Sequence, residues 1–237
     1  MSNHKLLRPD AKVTHVIFDV DGLLLDTERI YTECFQEICA EFDKEFTWDI
    51  KVKQMGKKEK ESGQVLLDTL NLPLSLDELI RKLREKLDEK LPFTELLPGA
   101  EKLIRHLHNH HIPIALASGS DGWCYRRKIA SHKELFSLFH HCVLSSDDPE
   151  VTHGKPSPDC FLVCARRFDD SPKLDQVLVF EDAPNGVEAA LAAGMRVVWV
   201  PDDRADRSSF EGRVDLILDS LENFKPECFG LPAFNSS

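Results

Sequence analysis

Four short stretches carry residue types that could do chemistry together. The first is Phe18-Asp19-Val20-Asp21-Gly22, where two carboxylates stand two residues apart as an apolar run stops. If that run is a strand, both acids can approach a ligand at the edge of a sheet. Asp and Gly also open turns for local reasons, so the pair alone is weak. The second, Ala117-Ser118-Gly119-Ser120, sets a hydroxyl beside a glycine amide at the end of another apolar run. Such a donor set suits a phosphate cradle and equally a plain turn. The third, His153-Gly154-Lys155-Pro156-Ser157-Pro158-Asp159, holds a single lysine in a loop stiffened by prolines. The fourth, Phe180-Glu181-Asp182-Ala183-Pro184-Asn185-Gly186, puts consecutive acids after an apolar run. Acids there are costly to hold near a sheet unless a cation neutralises them.

The elements that must position these residues follow from the apolar pattern. Residues 13–18, 112–117, 176–180 and 196–200 are short runs rich in Val, Ile, Leu and Phe, predicted as buried parallel strands, and 216–218 as a shorter one. Helical patterns separate them. Residues 100–109 place Leu103, Ile104 and Leu107 on one face, and 185–193 form an amphipathic helix closed by Gly194. The predicted fold class is therefore α/β, a Rossmann-like parallel sheet with crossover helices. Residues 28–92 differ: helical patterns at 31–42, 59–70 and 76–90 follow one another with no strand between them. The last of these is predicted to carry a solvated charged face with i,i+4 pairs. We read 13–27 plus 93–224 as the core and 28–92 as an inserted helical cap over the sheet's carboxyl edge, where open α/β sheets bind ligands.

Bulk properties narrow the partners. The chain has 237 residues, 42% hydrophobic and 30% charged, and a formal net charge of -11. No Lys/Arg block supplies the basic face that nucleic acid requires, and the acidic balance disfavours an anionic membrane surface. A bound divalent cation can still invert the local field for a small anionic substrate. No run approaches the ~18 apolar residues of a membrane span, and the N-terminus lacks a signal-peptide stretch. Seven scattered cysteines with no Cys-x-x-Cys pair point to free thiols in a reducing compartment, hence a cytoplasmic protein. Cys160 and Cys164, one helical turn apart, read as half-buried thiols rather than a metal pair. The cluster from His106 to His111 falls at a helix end, where cationic histidines are favoured by the dipole. No exposed amphipathic stripe demands a partner, so a monomer is expected.

Taken in order, the four stretches resemble the signature of the haloacid dehalogenase-like phosphohydrolases, and Gly186-Val187-Glu188-Ala189-Ala190-Leu191-Ala192-Ala193-Gly194-Met195 continues it as in members with a small helical cap. The resemblance covers about residues 13–224. It implies that Asp19 is a nucleophile forming an aspartyl phosphate, and that Asp21 protonates the leaving alkoxide and later deprotonates water. It implies a Mg²⁺ held by Asp19, the Asp21 carbonyl and Asp182, with Glu181 direct or through water. Ser118 and the Gly119 amide would hold phosphoryl oxygens, and Lys155 would stabilise the charge on nucleophile and phosphoryl group. Asp19, Glu181 and Asp182 against Mg²⁺ and Lys155 leave the resting site near neutral if Asp21 is protonated. The second acid favours phosphoryl transfer over dehalogenation.

Residues 15–28, Met55-Gly56-Lys57-Lys58, 147–151 and Phe229-Gly230-Leu231-Pro232 draw the resemblance closer, to members that hydrolyse a nucleoside 5′-monophosphate. Two departures stand out: Ser118-Gly119-Ser120 where that resemblance leads us to expect Thr-Ser-Ser, and 121–125, which differ from its pattern. Glu28, Lys57 and Lys58 are candidates to meet the substrate from the cap. A sugar-phosphate mutase on the same acids, or a regulatory binding protein on a retired phosphatase fold, remain the alternatives.

Overall fold

The computed structural model describes residues 12–54 and 59–234. In chain order the elements are β1 (His15–Phe18), α1 (Thr27–Ala40), α2 (Trp48–Gln54), α3 (Glu59–Leu70), α4 (Leu76–Lys90), α5 (Ala100–Asn109), β2 (Ile114–Ser118), α6 (Gly122–Lys128), α7 (Lys133–Phe136), β3 (His141–Leu144), α8 (Asp159–Arg166), β4 (Val177–Glu181), α9 (Pro184–Ala192), β5 (Arg196–Trp199) and β6 (Leu216–Ile217). The strands form one parallel sheet in the order β3-β2-β1-β4-β5-β6.

The apolar strand runs look continuous because the sheet is buried on both faces. Side chains alternate across a strand, and each face has its own helical cover. Val16, Phe18, Ile114, Leu116, Leu178, Phe180 and Val198 pack on one side with Leu103, Ile104 and Leu107 of α5. Ile17, Ala115, Ala117, Val177, Val179, Val197 and Trp199 pack on the other with Phe161 and Cys164 of α8 and Val187 and Ala190 of α9. The order places β1 at the centre, between β2 and β4. Whatever follows these three strands is therefore brought to one place. The edge strand β3 was not predicted: only Val143 of His-Cys-Val-Leu is fully buried, so its sequence lacks the apolar run of a central strand.

Helices α1–α4 bury a separate cluster that includes Ile30, Cys34, Phe35, Ile38, Leu66, Leu79, Leu83 and Leu87, the helical cap. Helix α4 opens with a capping box, in which the Ser75 side chain accepts from the Glu78 amide and the Glu78 carboxylate accepts from the Ser75 amide. Its charged face is only partly the solvated surface expected. Arg81 pairs with Glu85 within the helix, but Lys82, Lys86 and Lys90 reach across to Glu41, Glu37 and Glu33 of α1 or its end. The short α2 was not separately predicted.

At the other end of the sheet, Arg196 and Asp215 tie β5 to the segment entering β6. The Asp215 carboxylate accepts from Arg196 Nη2 at 3.1 Å and from the Val197 amide at 3.0 Å, with both side chains fully buried. Removing one partner of a buried pair leaves a poorly solvated charge behind. Asp215→Ala should therefore destabilise the fold by about 3–5 kcal/mol, read as a lowered urea midpoint with unchanged slope. A midpoint equal to wild type would show that the pair contributes nothing.

Candidate active site

The carboxyl ends of β1, β2 and β4 deliver three of the four predicted stretches to one edge. Asp19 follows directly on β1 and is pinned by its own amide, which donates to the Phe180 carbonyl at 3.0 Å. The loop after β3 brings Lys155, whose peptide bond to Pro156 is cis. Lys155 Nζ donates to Asp19 Oδ1 at 2.5 Å, to Glu181 Oε1 at 2.6 Å and to the Ala117 carbonyl at 3.0 Å. One ammonium thus joins the ends of all three strands while its side chain is only 8% exposed.

The loop after β4 depends on two glycines. Glu181 Oε2 accepts from the amides of Asp182 and Ala183 at 3.1 Å each, and its carboxylate lies against Gly186 in the first turn of α9. A Cβ at Gly186 would fall 1.8 Å from Glu181 Oε1. Gly22 has φ +77°, and a Cβ there would fall 2.3 Å from Asp182 Oδ2. Both positions need glycine because a carboxylate occupies the space a side chain would take. The Trp199 indole N–H donates to the Asp182 carbonyl at 2.8 Å and fixes the same loop from β5. Gly119 is different: a Cβ built there meets nothing within 4 Å, so crowding does not explain its glycine.

Carboxylate oxygens of Asp19, Glu181 and Asp182 lie within 4.8 Å of one another. Three hard oxygen ligands at this spacing fit Mg²⁺, which favours carboxylates and keeps several waters. No other such group of three or more His, Cys, Asp or Glu is found among the described residues. Cys160 and Cys164 are buried free thiols. His106 turns its Nε2 to the Pro232 carbonyl at 2.8 Å and packs on Phe234.

Asp21 is held by four donors. Its Oδ1 accepts from Thr27 Oγ1 at 2.8 Å and Lys128 Nζ at 2.5 Å, and its Oδ2 from Ser118 Oγ at 3.2 Å and Ser120 Oγ at 3.0 Å. Lys128, at the end of α6, is the residue that the sequence reading missed. Nothing local distinguishes it from a surface lysine, since it directly follows Arg126 and Arg127. With Lys128 present, the near-neutral site no longer requires a proton on Asp21, which corrects the charge count made from the motifs alone.

Of the cap candidates, Glu28 lines the cavity and pairs with Lys51 at 3.0 Å, whereas Lys57 and Lys58 lie outside the described residues. The cavity between sheet edge and cap has a volume of about 710 Å³. Tyr31, Phe35, Phe46 and Leu83 give it an apolar wall, and Arg84, Lys51 and Glu59 give it polar points. The cap is joined to the core by Arg84 to Asp121 at 3.0 Å across this cavity, and elsewhere by Arg127 to Asp88 and by Arg204 stacked on Trp48.

Burial raises the Asp19 carboxyl to about 7, with Lys155 opposing and Glu181 and Asp21 adding to the rise. Burial likewise holds Asp182 well above the carboxylate range, reinforced by Glu181 and Asp19. Burial would raise Asp21 too, but Lys128 and the hydroxyls of Thr27 and Ser120 outweigh it and lower the group. Between the unfolded value of 3.8 and about 7, the metal-free folded protein keeps a proton on Asp19 that the unfolded chain has released. That contribution is full below 3.8 and is lost as the pH climbs through about 7. In chelator, Tm should therefore fall as pH rises from about 4.5 to about 7.5, and Asp19→Asn should flatten part of that slope. A Tm that climbs over this interval would contradict the arrangement.

The family model described as "haloacid dehalogenase-like hydrolase" matches residues 13–194. The chain is 50% identical over 230 residues to "(DL)-glycerol-3-phosphatase 2" of Arabidopsis thaliana, covering 96% of this chain and 95% of that protein. It is 46% identical over 231 residues to "Probable pseudouridine-5'-phosphatase" of Drosophila melanogaster, covering 98% of each. In fold it is similar to a haloacid dehalogenase-family hydrolase of Deinococcus radiodurans, solved with bound phosphate and sodium. The TM-score is 0.76 at 21% identity, over 95% of this chain and all of that one. A parallel sheet that gathers these acids beside a buried lysine, under a family match across most of the core, leaves one assignment: the chain belongs to the haloacid dehalogenase-like hydrolase family, among its phosphatases.

Proposed function

We propose that the protein hydrolyses pseudouridine 5′-phosphate to pseudouridine and phosphate through an aspartyl phosphate on Asp19. The observation that carries the chemistry is the convergence of Asp19, Lys155, Glu181 and Asp182 within one buried edge, beside Asp21. The Asp19 carboxylate attacks phosphorus in line with the ester oxygen, and the bond from phosphorus to that oxygen breaks. Asp21, an ionised carboxylate at rest, takes the proton that the ester's phosphate monoanion carries and passes it to the departing oxygen. It later takes one from the water that attacks the aspartyl phosphate, and that proton leaves with the released phosphate, restoring Asp19 and Asp21. Ser118 Oγ and the Gly119 amide hold phosphoryl oxygens, with the Ser118 hydroxyl turning from Asp21 to do so. Lys155 stays against Asp19 and offsets charge on the transferring group.

Mg²⁺ bound by Asp19, the Asp21 carbonyl and Asp182 would supply positive charge to the phosphoryl oxygens. Glu181 serves the same site through its remaining lone pairs or a water, since Lys155 and two amides already occupy its oxygens.

The core comprises 13–27 and 93–224, and 28–92 form the cap that selects the leaving group, with Glu28, Lys57 and Lys58 as its candidate contacts. The protein acts as a cytoplasmic monomer on a small phosphomonoester, with neither nucleic acid nor membrane as partner. The net charge of -11 supports a partner that is neither nucleic acid nor an anionic membrane surface. A nucleoside leaving group is supported by the volume and aromatic wall of the cavity, and by the relative named for that substrate. A second reading, glycerol 3-phosphate, is favoured by the relative at 50% identity.

The test is phosphate release from pseudouridine 5′-phosphate, UMP and glycerol 3-phosphate, with Mg²⁺ and with EDTA, beside Asp19→Asn. Preference for pseudouridine 5′-phosphate, abolished by EDTA and lowered at least 1,000-fold in the variant, is expected (about 4 kcal/mol, at 1.36 per decade). Glycerol 3-phosphate leading would replace the substrate and keep the mechanism. No release from any ester would overturn both.

A further inference from the structure

Lys128 belongs to none of the four stretches that define the family resemblance, yet it is among the most deeply placed charges in the protein. It is 2% exposed at the end of α6, with Nζ 2.5 Å from Asp21 Oδ1, 2.6 Å from Ser120 Oγ and 5.2 Å from the centroid of the Tyr31 ring. Lysine is almost never fully buried unless paired, and stripping water from an ammonium costs several kcal/mol by general estimate. An apolar side chain of the same length would fill this space without that cost. The position is therefore better explained by what the ammonium does for its partner than by stability.

Its partner is Asp21. Each oxygen of that carboxylate takes two donors: Thr27 and Lys128 on Oδ1, Ser118 and Ser120 on Oδ2. The carboxylate cannot turn about its χ2 bond without giving up contacts on both oxygens. Three of the donors are neutral hydroxyls. Lys128 is the charged one, and Ser120 holds its Nζ from a second side. When a phosphate draws the Ser118 hydroxyl away, Lys128 remains beside Thr27 and Ser120 as the charged donor.

We propose that Lys128 is a positioning residue for phosphoester cleavage, whose ammonium seats the Asp21 carboxylate facing the leaving-group end of the cavity. This rests on the reading of Asp21 as the group that exchanges a proton with the ester oxygen. A residue acting this way matters when the leaving oxygen needs a proton, as an alkoxide does, and much less when it leaves as a nitrophenolate.

The experiment measures kcat/KM for the preferred alkyl phosphate of the wild type and for p-nitrophenyl phosphate, with Mg²⁺, in Lys128→Met, Asp21→Asn and the double variant. Lys128→Met should lose ten- to a hundredfold on the alkyl ester, mostly in kcat, and less than about fivefold on p-nitrophenyl phosphate. In the Asp21→Asn background, measured by long incubation, adding Lys128→Met should change the alkyl-ester rate by less than about twofold. Equal losses on both esters, or losses that multiply in the double variant, would overturn the proposal in favour of a structural lysine. A raised KM with kcat unchanged would overturn it in favour of direct substrate binding. If Lys128→Met alone does not fold, the double variant, which strands no carboxylate, decides by comparison with Asp21→Asn: equal rates support the proposal and a further tenfold loss overturns it. A wild type inactive on every ester would instead overturn the phosphatase reading on which the proposal stands.

Discussion

The structure depends on holding like charges together out of water. Asp19, Asp21, Glu181 and Asp182 are gathered at one buried edge, and mutual repulsion would scatter them without compensation. Two ammonium groups oppose them from different sides. Lys155 bridges Asp19 and Glu181, while Lys128 faces Asp21. Four negative charges against two positive ones leave room for a divalent cation. The backbone amides of Asp182 and Ala183, leading into α9, donate to Glu181 and spread its charge. Gly22 and Gly186 are the steric counterpart of this electrostatics, since each leaves the volume that a carboxylate fills.

The parallel sheet makes such a gathering feasible. Residues following β1, β2 and β4 reach one edge because those strands are neighbours and run the same way. Both faces of the sheet are sealed by helices, so the acids have only the edge to occupy. The cap then closes that edge with side chains of its own, and helix α1, which runs on into the cap, starts at the core residue Thr27, bonded directly to Asp21. The element that covers the site and the acid inside it are in contact.

Much of this was legible in the sequence, for reasons that can be named. Strands buried on both faces leave unbroken apolar runs, and these gave β1, β2, β4 and β5 to within about two residues. Residues 59–70, 76–90 and 100–109 coincide with α3, α4 and α5, whose apolar spacing is regular. Strand β3 escaped because an edge strand needs no such run. Asp19, Lys155, Glu181 and Asp182 could be named because loops at strand ends carry them in an ordered series. Lys128 could not, because nothing local separates a buried lysine from an exposed one: its burial is created by Asp21, Ser120 and Tyr31, which are remote in sequence or belong to other elements. The exchange of charges between α1 and α4 was hidden for the same reason.

The position of β1 has a consequence for how the chain is made. Of the described strands the central one is synthesised first, yet its neighbour β4 does not begin until residue 177. Until then one side of β1 offers unpaired amides and carbonyls, and the cap helices, whose contacts are local, have every opportunity to form before the sheet does. A nascent chain of this order carries a folded insertion on an unfinished core. The last quarter of the polypeptide therefore acts as the clasp, and a ribosome that stalls before it leaves an open sheet edge available to wrong partners.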